Sequence, residues 1–347
     1  MVNVGIAGLG FMGMIHYLAY QRIRGARVGA VCETDPKRRE GDWRTIKGNF
    51  GPQGTLTDLS AIQRYADLDG LLADPEIDMV DVCLPPAWHA KVAVAALEAG
   101  KHVFCEKPIA LKPADAQRMV AAAQRNGKLL AIGHVLPFFP AYQFAYQTIR
   151  GGKYGRLLGG YFKRITADPL WMTEFYNPNV TGGPMIDLHI HDAHFIRLTC
   201  GMPVAVHTLG RMHGEVVESF TSQFFFEDPN LLVTAASGVI NQQGRTFTHA
   251  FEIYLEKATL LFDFSVLGDQ AVTSMPLTLL DSRGKVIRPE LKTGDEIDPF
   301  VAELTEAVRA VRSGKPSPIL DGVLARDALM IGHKETESVL KRRKVKI

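Results

Sequence analysis

Within the first 133 residues, short apolar runs alternate with stretches of helical periodicity. Residues 2–7 read as a buried strand, and residues 13–24 as a helix closed by Gly25. Strands follow at residues 27–32, more weakly at 69–72, and strongly at 79–84. A helix at 88–98, a strand at 102–105, a helix at 114–125 and a strand at 129–133 complete the series. Strand–helix alternation implies parallel pairing with right-handed crossovers, hence an open, doubly wound α/β sheet.

After Gly133 the rhythm changes. Closely spaced strand-like runs occupy residues 157–166, 204–211, 220–227, 231–240, 247–255 and 259–264. Turn residues such as Asp228-Pro229-Asn230 between them suit hairpins and an antiparallel sheet. Helices are expected near residues 299–312 and 326–340. The pattern predicts a Rossmann domain over 1–133 and an α+β domain with a large, mostly antiparallel sheet over 134–347. The last helix of the second domain could pack back on the first.

A chain of 347 residues exceeds what one hydrophobic core serves, which agrees with two domains. A net charge of +2 excludes the concentrated basic face of a nucleic-acid binder, and the basic tail 341–346 reads as a solvated helix end. Cys32, Cys83, Cys105 and Cys200 are widely separated, and three follow Val or Phe in apolar runs, so they read as small core residues. Neither a disulfide framework nor a zinc site is expected, and a reducing compartment fits. The apolar start lacks a basic leader and is rich in glycine, and no run is long enough to cross a membrane. A cytoplasmic protein is expected.

Gly8-Leu9-Gly10-Phe11-Met12-Gly13 follows a predicted strand and opens a predicted helix, the context a dinucleotide turn requires. Gly8 permits the tight turn, Gly10 admits the pyrophosphate, and Gly13 lets the helix pack on the strand. The helix N-terminus offers N–H groups and partial positive charge to the phosphates. Glu33 lies 20 residues beyond Gly13 at the end of the second strand, where a carboxylate can hold the ribose hydroxyls and repel a 2′-phosphate. NAD is therefore favoured, with NADP left open by Lys37, Arg38 and Arg39 nearby.

Two other constellations carry chemistry. Glu106-Lys107-Pro108 sits at the carboxyl end of a predicted strand, where ligands of open parallel sheets bind. Gly182-Gly183-Pro184 opens what reads as one helix, on which Asp187 and His191 share a face, with His194 a turn further and His189 roughly opposite. A carboxylate and an imidazole on one face suit proton movement coupled to oxidation of an alcohol. The three histidines do not converge on one side of a helix, so no metal is expected. Residues 164–181, with Arg164, Asp168, Trp171, Glu174 and Tyr176, combine aromatic faces and charge in a way that suits a polyol, although a plain surface loop is an equal reading.

The ordered set of these motifs resembles the Gfo/Idh/MocA oxidoreductases over nearly the whole chain. Pro86 with His89, the run at 98–103 and Ser313-Gly314-Lys315-Pro316 also match. The resemblance implies NAD(P)-dependent oxidation or reduction at a carbon of a sugar, cyclitol or related polyol. It implies that Lys107 contacts the reacting oxygen and the cofactor, that Asp187 orients substrate, and that His191 is the general acid/base. Gly8, Gly10, Phe11, Met12, Gly13, Glu33, Pro86, His89, Glu106 and Lys107 become the candidate cofactor contacts. His134, Arg164, Trp171, Tyr176 and His194 become the candidate substrate contacts. A homodimer or homotetramer through the second sheet is the assembly implied. Glutamate in place of the more usual aspartate at Glu33 leaves NAD against NADP open. Leu84 before Pro85-Pro86, and the lack of arginine after Gly133, leave the substrate open. Two other activities stay in view: an NAD-using glycosidase or lyase with transient oxidation, and a non-catalytic dinucleotide-binding regulator.

Overall fold

The computed structural model describes residues 1–48, 50–291 and 294–347, and the chain divides into two compact units. The first comprises residues 1–138 and 293–326, and the second residues 139–292 and 327–347.

The first unit opens with β1 (Val2–Ala7), α1 (Phe11–Tyr20), β2 (Ala26–Cys32), α2 (Pro36–Arg39) and β3 (Gln63–Tyr65). It continues with α3 (Leu68–Ala73), β4 (Met79–Val82), α4 (Pro86–Glu98), β5 (His102–Glu106), α5 (Pro113–Asn126) and β6 (Leu130–Gly133). The six strands are all parallel in the order β3-β2-β1-β4-β5-β6. The chain reverses direction across the sheet between β1 and β4, which opens a crevice at their carboxyl ends. The weak strand expected at 69–72 is a correction: those residues form α3, because the Asp67 side chain caps the helix by accepting the Gly70 N–H at 2.9 Å. The third strand lies earlier, at β3.

The second unit begins with α6 (Pro140–Gly151) and β7 (Leu157–Ala167), then α7 (Gly183–Asp187) and α8 (Ile190–Cys200). β8 (Ala205–His213), β9 (Val216–Phe225), β10 (Leu232–Ile240), β11 (Arg245–Leu255), β12 (Ala258–Leu267), β13 (Gln270–Asp281) and β14 (Val286–Ile287) follow. α9 (Asp298–Ser313) returns the chain to the first unit, α10 (Gly322–Lys341) begins there and ends in the second, and β15 (Val345–Lys346) pairs with β8. The sheet runs β14-β13-β12-β11-β7-β10-β9-β8-β15 and is antiparallel except where β7 lies beside β10.

The returning helix α9 belongs to the first unit's core. Phe300, Leu304, Ala307 and Val308 join Val4, Ile6, Ile15 and Tyr20 in one buried cluster. Each large apolar side chain buried there contributes about 1.5–3 kcal/mol, so the first unit depends on a segment far along the chain.

Candidate active site

The turn after β1 is built by its glycines. Gly8 has φ +97°, and a Cβ there would meet the Cys83 carbonyl oxygen at 2.6 Å. A Cβ on Gly13 would collide with the Gly8 carbonyl, which is why α1 can sit tight against the turn. Around Gly10, in contrast, the space a Cβ would take is open to 4 Å. The N-cap of α1 is Gly10, which has no side chain to cap the helix. Open space at the middle glycine and an uncapped helix end are what a pyrophosphate requires. Phe11 and Met12, the first residues of that helix, are half-buried, and Phe11 packs edge-on against Phe50 at 4.8 Å.

Glu33 stands directly after β2 and reaches the turn. Its Oε2 accepts the Leu9 N–H at 2.8 Å, and its Oε1 accepts the Asp35 N–H at 2.9 Å. Arg39 is engaged with the backbone here, donating to the Glu33 carbonyl at 2.9 Å. Asp35 caps α2 by accepting the Lys37 N–H.

Lys107 is half-buried at the end of β5, and its peptide bond to Pro108 is cis. His89, one turn into α4, is fully buried and holds two strand ends together. Its Nδ1 lies 2.8 Å from the Pro108 carbonyl oxygen and its Nε2 2.7 Å from that of Leu84. Burial holds the His89 ring below its ordinary pKa against the pull of those carbonyls. His89 therefore acts on the site through Leu84 and Pro108, while Pro86 provides the first turn of α4. His134, directly after β6, is fully buried.

In the second unit, Gly182 and Gly183 both have positive φ, +81° and +72°. A Cβ on Gly183 would lie 2.6 Å from Val216 Cβ, so the chain passes close to β9 where α7 begins. The single helix expected from Pro184 is a correction. α7 ends at Asp187 and α8 starts at Ile190, because the His189 N–H reaches five residues back to the Pro184 carbonyl at 3.0 Å.

The ionisable residues around that junction divide sharply. His189 is fully buried, with Nε2 3.2 Å from Glu335 Oε2 and its ring edge-on to Phe220. Burial opposes charge on His189, but Glu335 outweighs it and raises the pKa. Asp192 is buried against Arg164 in a two-point ion pair at 2.6 and 3.1 Å. His194 is fully buried within α8. Only Asp187 and His191 of this run's acids and histidines keep partial exposure.

The candidate substrate contacts separate accordingly. Arg164 lies inside β7, 3% exposed and committed to Asp192. Tyr176 donates to Asp168 at 3.0 Å and stacks on His213 with ring centres 4.0 Å apart. Trp171 is 68% exposed.

One cluster in the first unit escaped the sequence reading. His16 on α1, Asp81 in β4 and the adjacent Cys83 bring donor atoms within 4.8 Å of one another. Both ring nitrogens of His16 already face carboxylates, Asp81 at 2.9 Å and Glu106 at 3.1 Å, so the cluster holds its own cation, and we do not read it as a metal centre. The signal was an aspartate inside the buried run Met79-Val80-Asp81-Val82.

An open parallel sheet with this glycine turn, a carboxylate at the second strand end and a lysine at the fifth defines a dinucleotide-dependent oxidoreductase. Residues 2–134 match the oxidoreductase family with an NAD-binding Rossmann fold, and residues 142–261 match the GFO/IDH/MocA C-terminal domain. The chain belongs to the Gfo/Idh/MocA family of oxidoreductases. It is 27% identical to a myo-inositol 2-dehydrogenase of Thermotoga maritima, over all of this chain and 98% of that one. An NAD-binding oxidoreductase from Klebsiella pneumoniae shares the fold with a TM-score of 0.83 at 21% identity, covering 100% of this chain and 99% of the other. A levoglucosan dehydrogenase crystallised with NADH and levoglucosan shares it at 0.79, also at 21% identity and with the same coverage. Among the described residues, no helix is long and apolar enough to cross a membrane.

Proposed function

We propose that this chain is an NAD-linked dehydrogenase or reductase acting at a secondary alcohol carbon of a cyclitol, sugar or related polyol. The observation that carries the reading is the division around residues 187–194. Burial and ion pairs engage His189 and Asp192, and burial encloses His194, whereas Asp187 and His191 keep access to solvent. When bound, the nicotinamide exchanges hydride with the carbinol carbon. His191 takes the hydroxyl proton in oxidation and returns it in reduction. Asp187 holds a substrate hydroxyl by accepting its hydrogen bond. The Lys107 ammonium donates to the reacting oxygen and stabilises the charge that develops there. Glu33 receives the adenosine ribose hydroxyls, which favours NAD over NADP.

A cyclitol or anhydro-sugar leads the substrate classes because the relatives above are named for myo-inositol and levoglucosan. Trp171 supports this class by offering an exposed aromatic face to a polyol ring. We also read the chain as a cytoplasmic homo-oligomer joined through the second sheet, which leaves Leu209, Tyr254, Leu267 and Met275 exposed. Sedimentation of the purified chain as a monomer would reject that assembly.

The deciding experiment is a panel of cyclitols and sugars, myo-inositol and levoglucosan included, with NAD and NADP, following the absorbance of reduced nicotinamide. Steady accumulation with one polyol, lost in both Lys107→Ala and His191→Ala while NAD still binds, is the expected result. Product release without any net reduced cofactor would replace this reading with a transient-oxidation hydrolase or lyase.

A further inference from the structure

A charged residue in a strand buried on both faces is costly unless something pairs with it. Asp81, the third residue of β4, has no solvent exposure. Its Oδ2 lies 2.9 Å from Nδ1 of His16, which is itself fully buried on α1. The opposite ring nitrogen, Nε2, lies at ion-pair distance, 3.1 Å, from Glu106 Oε1 at the end of β5. The other Glu106 oxygen, Oε2, accepts the backbone N–H of Lys107 at 3.1 Å. Three elements are thus joined in sequence: β4, the helix that follows the glycine turn, and the strand end that bears Lys107.

The surrounding groups fix the charge of the ring. Cys83 Sγ lies 3.2 Å from His16 Nδ1 and 3.4 Å from Asp81 Oδ1. Tyr20, on the same helix, is buried nearby, and Phe104 packs edge-on to the imidazole at 5.5 Å. From α9 come Phe300, with its ring centre 6.3 Å from that of His16, and one turn later Glu303, fully buried with neither oxygen hydrogen-bonded to the protein. A neutral imidazole carries one N–H and would turn a lone pair toward one of its two carboxylates, whereas the imidazolium donates to Asp81 and sets positive charge against Glu106. Burial opposes the charge on His16, but Cys83 and Asp81 outweigh it and hold the ring's pKa well above the ordinary value. Since burial also pushes the Cys83 thiol far up, the thiol stays neutral and Asp81 is the group responsible. Burial, with Glu106 next in weight, raises the Glu303 pKa well above the ordinary carboxyl value.

We propose that His16 is a positioning residue for the reaction: its imidazolium bridges Asp81 to Glu106 and, through the Glu106 carboxylate, fixes the backbone from which the Lys107 side chain departs. The helix that meets the cofactor phosphates is thereby tied by one side chain to the strand end that carries the lysine. The inference rests on Lys107 taking part in turnover, as proposed above.

The test uses the intact chain as His16→Gln, Glu106→Gln and the double variant, measuring kcat, KM, NAD binding and thermal unfolding. His16→Gln should lower kcat by about 10- to 100-fold while NAD affinity holds, because misplacement of a reacting group slows chemistry more than binding. The double variant should be no slower than the slower single one, the signature of two residues acting as a unit. Additive losses, or a loss of NAD affinity equal to the loss of kcat, would overturn the proposal. Isotope-labelled histidine in the unaltered protein gives a second readout that does not depend on a variant folding. The His16 ring should remain an imidazolium as pH rises past about 6.5, where an ordinary histidine loses its proton. A neutral ring at that point, or a stoichiometric bound metal displacing the Nδ1 proton, would also sink it. Lys107→Ala separates the two levels. If that variant keeps full turnover, both readings fall; if it is inactive while His16→Gln is unaffected, the role of His16 alone fails.

Discussion

The Glu33 carboxylate accepts the Leu9 backbone N–H at 2.8 Å, so the end of β2 and the glycine turn are joined before any cofactor arrives. Removing that group should loosen the turn and also withdraw the acceptor for the ribose. Glu33→Ala is expected to weaken NAD by about 10- to 100-fold, the range of a hydrogen bond to a charged group. NADP should lose less, because the carboxylate that repels its 2′-phosphate is gone. Titration of both cofactors checks this, and an unchanged NAD-to-NADP ratio would remove Glu33 from the ribose.

The two ends of the glycine turn should respond differently to alanine. Gly8→Ala places a Cβ 2.6 Å from the Cys83 carbonyl at a φ of +97°, so the variant should be destabilised and unfold at lower temperature. Gly10→Ala meets nothing within 4 Å and should keep its melting temperature, yet it fills the space a pyrophosphate would use. Calorimetry alongside NAD titration distinguishes them. Normal NAD binding by Gly10→Ala would contradict the assigned path of the phosphates.

Neighbouring aspartates should also part company. Asp192 and Arg164 form a pair with side-chain exposures of 1% and 4%, so Asp192→Ala strands a buried guanidinium. A loss of about 3–5 kcal/mol in denaturant unfolding is expected. Asp187→Ala, at a half-exposed position, should unfold like the parent chain and lose turnover. An active Asp187→Ala would remove the residue from the chemistry.

Glu303 supplies a pH dependence with a definite sign. Burial raises its folded pKa above the unfolded value, so the folded state binds the extra proton between the two. Its contribution to stability is greatest below the unfolded carboxyl pKa, near 4.3, and declines as pH rises toward the folded value. Glu303→Gln, which cannot ionise, should therefore gain on the parent as pH rises from about 5 to about 8. Denaturant midpoints across that interval measure it, and a constant difference would mean that Glu303 is ionised in the folded state as it is in the unfolded one.

Much of the first unit is legible in the chain because its parallel strands are continuous apolar runs and its helices open or close on proline and glycine. Residues 69–72 were misread because a short amphipathic stretch fits either period, and only the Asp67 cap decides it. β13 was passed over because its first seven residues are exposed or partly exposed on both faces, which leaves no alternation to detect there. α6 was missed for a different reason: its aromatic residues and Pro140 resemble a turn-rich segment, although Ala141, Tyr142 and Ala145 make one buried stripe. At the site, residue types and spacing pointed to Lys107, Asp187 and His191, but could not separate His191 from His194, or Asp187 from Asp192. The difference in burial between them, and the pairing of Asp192 with Arg164, rest on residues far off in the chain. The link between His16 and Asp81 spans 65 positions and leaves only the oddity of an acid in a buried strand.

The return of α9 into the first unit has a bearing on how the protein comes into being. Phe300, Leu304 and Val308 emerge from the ribosome after every strand of the second sheet except β15. The nucleotide-binding unit therefore waits, with part of its interior uncovered, until strands β7 to β14 have been made. An excised N-terminal fragment would keep every glycine of the turn and still lack a wall of its own core.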